Sequence, residues 1–593
     1  MKKRKLEEEQ LAAELSETAA GELEDGEDQD DEDEDEEYEE KGPSGLSLAL
    51  NRYFHHLDRG GTLGGEILAG ITMFFLSICI IFMNMQLAGN AVNGALTLKN
   101  SPADPGNIAA AGVYTSIYAG SILTAILGSL LVGLVARLPF VQVSTMGLAS
   151  SLLCLVGTQS GLTYQNLLFI NLIASVLYGI AAGVPRIREW LFMAIPKPVR
   201  RGLPAAVGMI FAWQALQQSG FITAENRSFG NGGKFITWIN GFTFSGMRSL
   251  EFCALIGAAA AVALYCVLKL FKRKHPVFLS LMGGTAVFLL IGLAKGGTKT
   301  ADTESIINFG RVWMIAGSQA SDATPFADSY LTYFGAALKE VFSRLGEVFT
   351  VGYDFSAYTG STISLIISGV LCYVFTALLD VQGTLAAASG AINRDAAEEG
   401  KVELSSEKGM RTALVCSAAA NAAGSFLGAG GVTMGSTSVP GTEDHGKSGI
   451  ASITACIGYV ISLFVMVFPA LFATMTYPVS SMNQWNYFAY GNGGFVYLVQ
   501  GAVFSVANMV ILCVGVSMLR TLKHTDWKKP LEWIPMILTV AAALVTSNLA
   551  VGAGIGMTVY LIASLPGLKE NRSRVNVPML AVTALMLMMI VLL

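Results

Sequence analysis

Apolar runs of membrane-spanning length recur from about residue 66 to residue 565, and the short polar stretches between them carry most of the Lys and Arg. A bilayer core about 30 Å thick takes roughly 20 apolar residues in a helix. In the first half the runs are Glu66 to Ala88, Gly112 to Ala136, Gln165 to Val184, Leu203 to Phe221, Phe252 to Leu270 and Val277 to Ala294. In the second half they are Thr362 to Gly390, Thr412 to Leu427, Ile450 to Ala473, Tyr497 to Leu519, Trp533 to Thr546 and Leu549 to Leu565. Leu46 to Leu57 reads as a short amphipathic lead-in along the membrane surface. Val577 to Leu593 is barely long enough to span, and reads as a short extra, re-entrant or interfacial helix.

Two stretches do not fit a regular span. Phe140 to Val143 is β-branched and aromatic, follows Pro139, and turns into Ser144, Thr145, Met146 and Gly147 before a short apolar run. Gly428 to Gly449 is rich in Gly, Ser and Thr and contains Pro440. Each reads as a broken element in third place within its half. Irregular backbone is tolerated at membrane depth only beside protein or a cavity. The expected fold is therefore an all-α membrane protein of about fourteen elements, a seven-plus-seven inverted repeat with its site near the midplane where the two broken elements meet.

The expected division places an acidic cytoplasmic tail at 1–45, the first repeat at 64–295, an outer loop at 296–361 with an amphipathic helix over Tyr333 to Val351, the second repeat at 362–566 and an apolar segment at 567–593. Asn393 to Gly409 reads as a polar loop.

Composition agrees. Of 593 residues 52% are hydrophobic and only 14% charged, against about a quarter charged in soluble proteins. The net charge of -6 comes from the tail, where GEDQDDEDEDEEYEE repels itself and has almost nothing to bury. The rest is basic, and Pro185 to Arg188, Lys197 to Gly202 and Lys269 to His275 all fall inside if the N-terminus is inside. The eight Cys form no CxxC and the five His sit at edges or in loops, so neither a disulfide framework nor a metal site is expected. No nucleophile–base pair and no GxxxxGK[ST] occurs, which argues against an enzyme and against ATP-driven pumping.

Asp380 stands deep inside the apolar run from Leu371 to Gly390, followed by Gln382, Gly383 and Thr384. An acid at that depth is expensive and marks a functional site by default. Donors from around Ser144, Thr145 and Met146 would face those around Ser436, Thr437 and Ser438 if two half-helices aimed their N-termini at the midplane. Asp380 would accept from ligand N–H groups or hold a proton or Na⁺.

These residues also carry a resemblance. AGITMFFLSICIIFMN (Ala69 to Asn84), STMGL (Ser144 to Leu148), REWLFMAIPKPVRRGLPAAVGM (Arg188 to Met209), LDVQGTL (Leu379 to Leu385) and VTMGSTSVPGTEDHGKSG (Val432 to Gly449) resemble the nucleobase–cation symporter family, in its purine permease branch for hypoxanthine, guanine and adenine. The resemblance runs from Gly64 to Leu565. It implies core and gate domains, with elements five to seven and twelve to fourteen in the gate. It implies a substrate site of Asp380, Thr384, Ser144, Thr145, Met146, Ser436 and Thr437, with Asp380 also on the coupling ion. The branch usually carries Asn where this chain has Ala149, and an acid where it has Thr437.

The function expected is proton- or sodium-coupled import of a purine-like nucleobase across the plasma membrane. The alternative is an anion or organic-acid transporter on the same fold. No cofactor, metal or nucleic-acid partner is expected, and a homodimer joined gate to gate is implied by the resemblance.

Overall fold

The computed structural model describes residues 45–96, 108–144, 163–218, 222–229, 234–242, 249–296 (except 272 and 274), 341–342, 345–356, 361–399, 407–464 (except 444), 485–490, 494–499, 506–565 (except 526) and 575–592. The acidic tail and most of the expected outer loop lie outside these residues.

The first half begins with α1 (Gly45–Phe54), α2 (Leu63–Leu96) and α3 (Ile108–Leu131). Next come strand β1 (Gln142–Val143), α4 (Tyr164–Gly183), α5 (Pro185–Ala194) and α6 (Lys197–Gln218). A hairpin, β2 (Ile222–Phe229) with β3 (Lys234–Phe242), separates α6 from α7 (Ser249–Leu270) and α8 (Pro276–Gly296). After the short α9 (Glu347–Thr350), the second half runs through α10 (Thr362–Glu399), α11 (Glu407–Leu427), β4 (Thr433–Met434), α12 (Ser438–Glu443) and α13 (Gly449–Phe464). A further hairpin, β5 (Trp485–Tyr490) with β6 (Gly494–Val499), precedes α14 (Val506–Ser517), α15 (Pro530–Thr546), α16 (Leu549–Ser564) and α17 (Val577–Leu592).

Local chemistry sets many of these ends. Thr163 and Asn166 close a capping box at α4, and the Asn548 side chain accepts from the N–H groups of Ala550 and Val551 to open α16. Such side chains satisfy donors that a helix start leaves unpaired. Pro185 and Pro530 occupy first turns, where a missing N–H costs nothing. Helix α3 ends in a π turn, Val132–Ala136, stopped by Arg137 in the left-handed region at φ 57°. Among the described residues three helical stretches are long and apolar enough to cross a membrane: Ala119–Ala136, Tyr164–Gly183 and Thr362–Leu385.

The packing repeats itself. Helix α13 lies on α2 and α3 as α4 lies on α10 and α11. Away from that core, α7 pairs with α8 as α15 pairs with α16, and α6 and α14 cross each other. Gly208 of α6 faces the backbone oxygen of Gly515, and Gly515 of α14 faces that of Gly208; a Cβ on either would run into the other chain. Only glycine permits so close an approach. Both swaps exchange the first half for the second, the signature of the inverted repeat, and they divide the molecule into a core and a gate. Helix α17 packs on α5, α10 and α16.

The helical membrane fold holds, with two hairpins added, Ile222–Phe229 with Lys234–Phe242 and Trp485–Tyr490 with Gly494–Val499. Two finer expectations change. The span expected over Tyr497 to Leu519 begins in strand β6, and its described helix is Val506–Ser517. Aromatic and β-branched residues flanking Gly491, Asn492 and Gly493 favour hairpin over helix there. Helix α10 continues through Asn393–Glu399, expected as loop, because Ala and Glu sustain a helix whether or not it is still in hydrocarbon. The helix expected over Tyr333 to Val351 falls largely outside the described residues, and its described end holds only the four-residue α9.

Candidate functional site

The two broken elements meet as antiparallel strands, with Gln142 opposite Met434 and Val143 opposite Thr433. Each strand is too short to hold itself, so side chains and turns from both halves fix the crossing. The Gly435 N–H donates to the Val141 oxygen at 2.9 Å, and the Val141 N–H donates to Ser438 Oγ at 3.0 Å. Gln142 N donates to Ser129 Oγ at 2.8 Å, and Ser417 Oγ donates to Gln142 Oε1 at 3.2 Å. Asn421 Oδ1 accepts from the Val432 N–H at 2.8 Å and from Asn171 Nδ2 at 3.1 Å; Asn171 also donates to the Gly430 oxygen at 3.0 Å. These buried bonds supply the partners that backbone outside a regular ladder must find.

One face of the crossing looks toward α10. Asp380, 1% exposed, accepts from Thr433 Oγ1 at 2.7 Å. One helical turn on, Thr384 Oγ1 donates to the Met434 oxygen at 3.4 Å. The acid singled out in the sequence therefore holds the strand from behind.

The other face looks toward the gate. A cavity there is lined by Ser436 and Thr437 from the crossing, Leu76 and Ile80 of α2, Phe211 of α6, Ile511 and Val514 of α14, and Met518. It has room for about one water molecule. The hydroxyls of Ser436 and Thr437 are buried and have no hydrogen-bond partner. A buried hydroxyl without a protein partner keeps its hydrogen-bonding capacity for whatever enters the cavity. Each hydroxyl can donate and accept, so the cavity offers an uncharged polar edge against apolar and aromatic walls.

Of the residues expected at the site, Ser436 and Thr437 line this cavity, whereas Asp380 and Thr384 hydrogen-bond to strand β4. Ser144 is buried and its Oγ donates to the Ala429 oxygen at 3.2 Å. Thr145 and Met146 lie outside the described residues. The N–H groups of Ser438 and Val439 bond back to Gly435 and Ser436, so these two are used inside the turn. Sequence reasoning missed the opposite wall, Leu76, Ile80, Phe211, Ile511, Val514 and Met518. These look like any other apolar positions in their runs, and their role comes only from the fold.

No protein-family model matches the chain. It is similar to the adenine permease AdeP of Escherichia coli, 22% identical over 526 residues that cover 87% of this chain and 90% of that one. It is similar to the guanine/hypoxanthine permease PbuO of Bacillus subtilis, 21% identical over 86% of this chain and 93% of that one. The putative permease MJ0326 of Methanocaldococcus jannaschii is 22% identical over 86% and 92%. Among solved structures, the transmembrane domain of a cyanobacterial bicarbonate transporter, BicA, aligns with TM-score 0.41 at 14% identity, covering 82% of this chain and 97% of that one. Over most of both lengths, then, the chain is similar to adenine and guanine/hypoxanthine permeases.

Proposed function

We propose that this protein is a secondary active transporter that imports a purine-like nucleobase across the plasma membrane, coupled to a proton or sodium gradient. The observation that carries this reading is the core–gate cavity, edged by the unpaired hydroxyls of Ser436 and Thr437 and walled by Phe211 and aliphatic side chains. A purine is a flat ring with hydrogen-bonding edges and π faces. The hydroxyls would take an edge and Phe211 a face. The space is far smaller than such a ring, so binding requires the core to move away from the gate, the rocking expected of inverted-repeat transporters.

In this reading Asp380 is the site of the coupling ion. Its charge state acts on the ligand edge through Thr433 and the strand that ends beside Ser436 and Thr437. Thr384 supports the same strand, and Ser144, Thr145 and Met146 supply the mirrored edge from the first half. The two repeats occupy 64–295 and 362–566, the N-terminus with its acidic tail faces the cytoplasm, and the gate joins two copies in a homodimer.

The test is uptake of labelled hypoxanthine, guanine, adenine and sulfate into proteoliposomes under imposed pH or sodium gradients. Accumulation of a nucleobase with one gradient is the expected result. Sulfate or dicarboxylate uptake without nucleobase uptake overturns the reading. Undiminished gradient-driven accumulation in Asp380→Asn removes that residue from coupling.

A further inference from the structure

A second buried acid sits away from the cavity. Glu66, in the first turn of α2, is 0% exposed. Its Oε1 accepts the Lys447 N–H at 3.0 Å. Lys447 stands two residues ahead of α13, so Glu66, on a helix of the first half, holds the chain where it enters a helix of the second. A carboxylate suits that place, since a helix start combines unpaired N–H groups with partial positive charge. Arg59, just ahead of α2, completes the arrangement. Its NH1 donates to the Lys447 oxygen at 2.9 Å and to the Arg137 oxygen, at the end of α3, also at 2.9 Å. The peptide groups of Lys447 are thus held on the N–H side by Glu66 and on the carbonyl side by Arg59.

What this clamp holds is the far end of the segment that presents the ligand edge. Residues 436–437 line the cavity, α12 follows at once, and the chain then enters the clamp. Gly441 packs on the Met73 side chain, and a Cβ there would sit 3.1 Å from the Ala69 oxygen; one on Gly446 would sit 3.0 Å from the Ala69 side chain. Ala69 and Met73 lie one and two turns beyond Glu66 on the same helix. Close-packed contacts of this kind transmit displacement instead of absorbing it.

We infer that Glu66, with Arg59, is a positioning residue for transport: by clamping Lys447 it sets where Ser436 and Thr437 stand in the cavity. The part that concerns substrate rests on the function proposed above. The clamp itself is a property of the empty protein.

Two measurements decide it. The first is hydrogen–deuterium exchange on the purified, ligand-free protein. In Glu66→Ala exchange should rise about tenfold or more not only over 445–451 but also over 436–439. Glu66→Gln, which keeps an acceptor oxygen, should restore most of the protection at 436–439. Faster exchange confined to 445–451, or none, overturns the inference, and this arm holds even if no nucleobase is transported. The second is uptake kinetics, where Glu66→Ala should raise KM about tenfold with Vmax within about twofold, and Arg59→Ala should do the same more weakly. A fall in Vmax at unchanged KM means that Glu66 serves folding alone and overturns the positioning role. Failure of the wild type to take up any nucleobase sinks the proposed function and leaves the exchange result to decide the clamp.

Discussion

Asp380 and Thr437 are both buried at the same crossing and are in opposite states. Asp380 accepts a short hydrogen bond from Thr433, whereas the Thr437 hydroxyl, equally buried, has no partner. Leaving a buried carboxylate unpaired costs far more than leaving a buried hydroxyl unpaired. The difference separates two tasks that rarity alone would have given to one residue. Asp380 holds the strand through Thr433, and the Thr437 hydroxyl faces the cavity.

The comparison breaks first at the acid. Asp380→Ala removes the buried acceptor of the Thr433 hydroxyl, so it should cut uptake at least about a hundredfold and lower folding stability by about 1–3 kcal/mol. Uptake kinetics and thermal melting in detergent measure the two. Wild-type melting with wild-type uptake would mean that neither the strand nor the transport cycle uses the acid. Asn171→Ala should cost a similar 1–3 kcal/mol by melting, because the Gly430 carbonyl and Asn421 lose a donor at the crossing. Its effect on KM should be secondary.

Thr437→Val tests the other side. Removing an unpaired hydroxyl should leave the melting temperature of the empty protein unchanged or slightly raised, while KM rises about tenfold. A stability loss with unchanged KM would mean that the hydroxyl serves packing. Thr384→Val should be milder, since a 3.4 Å bond is long: under about 1 kcal/mol and under threefold in KM. Smallest of all, Arg201→Ala removes a half-exposed contact to Glu532 at 3.4 Å and should shift melting by no more than about 0.5 kcal/mol, with kinetics unaltered.

Much of this was legible in the sequence because the bilayer simplifies the code. Long apolar runs give spans, and interruptions rich in Gly, Ser and Thr give the crossing. The rare acid gives Asp380. What stayed hidden depends on contacts between distant residues. Glu66 stands at the edge of its run and looks like an interfacial charge; its burial comes from residues about 380 positions later. Phe211 and Ile511 carry no mark that separates a cavity wall from a lipid-facing surface. Polarity also misplaced an end: Asn393–Glu399 stays helical because leaving hydrocarbon does not oblige a helix to stop.

The mutual contact of Gly208 and Gly515 has a geometric consequence. When an inverted-repeat transporter turns from one side to the other, each half takes up the conformation its counterpart held. Every contact between unlike positions is then exchanged for its mirror. A contact between matched positions has no mirror except itself. The approach of Gly208 and Gly515 is reciprocal, each facing the other's backbone oxygen, so it can survive that exchange unchanged.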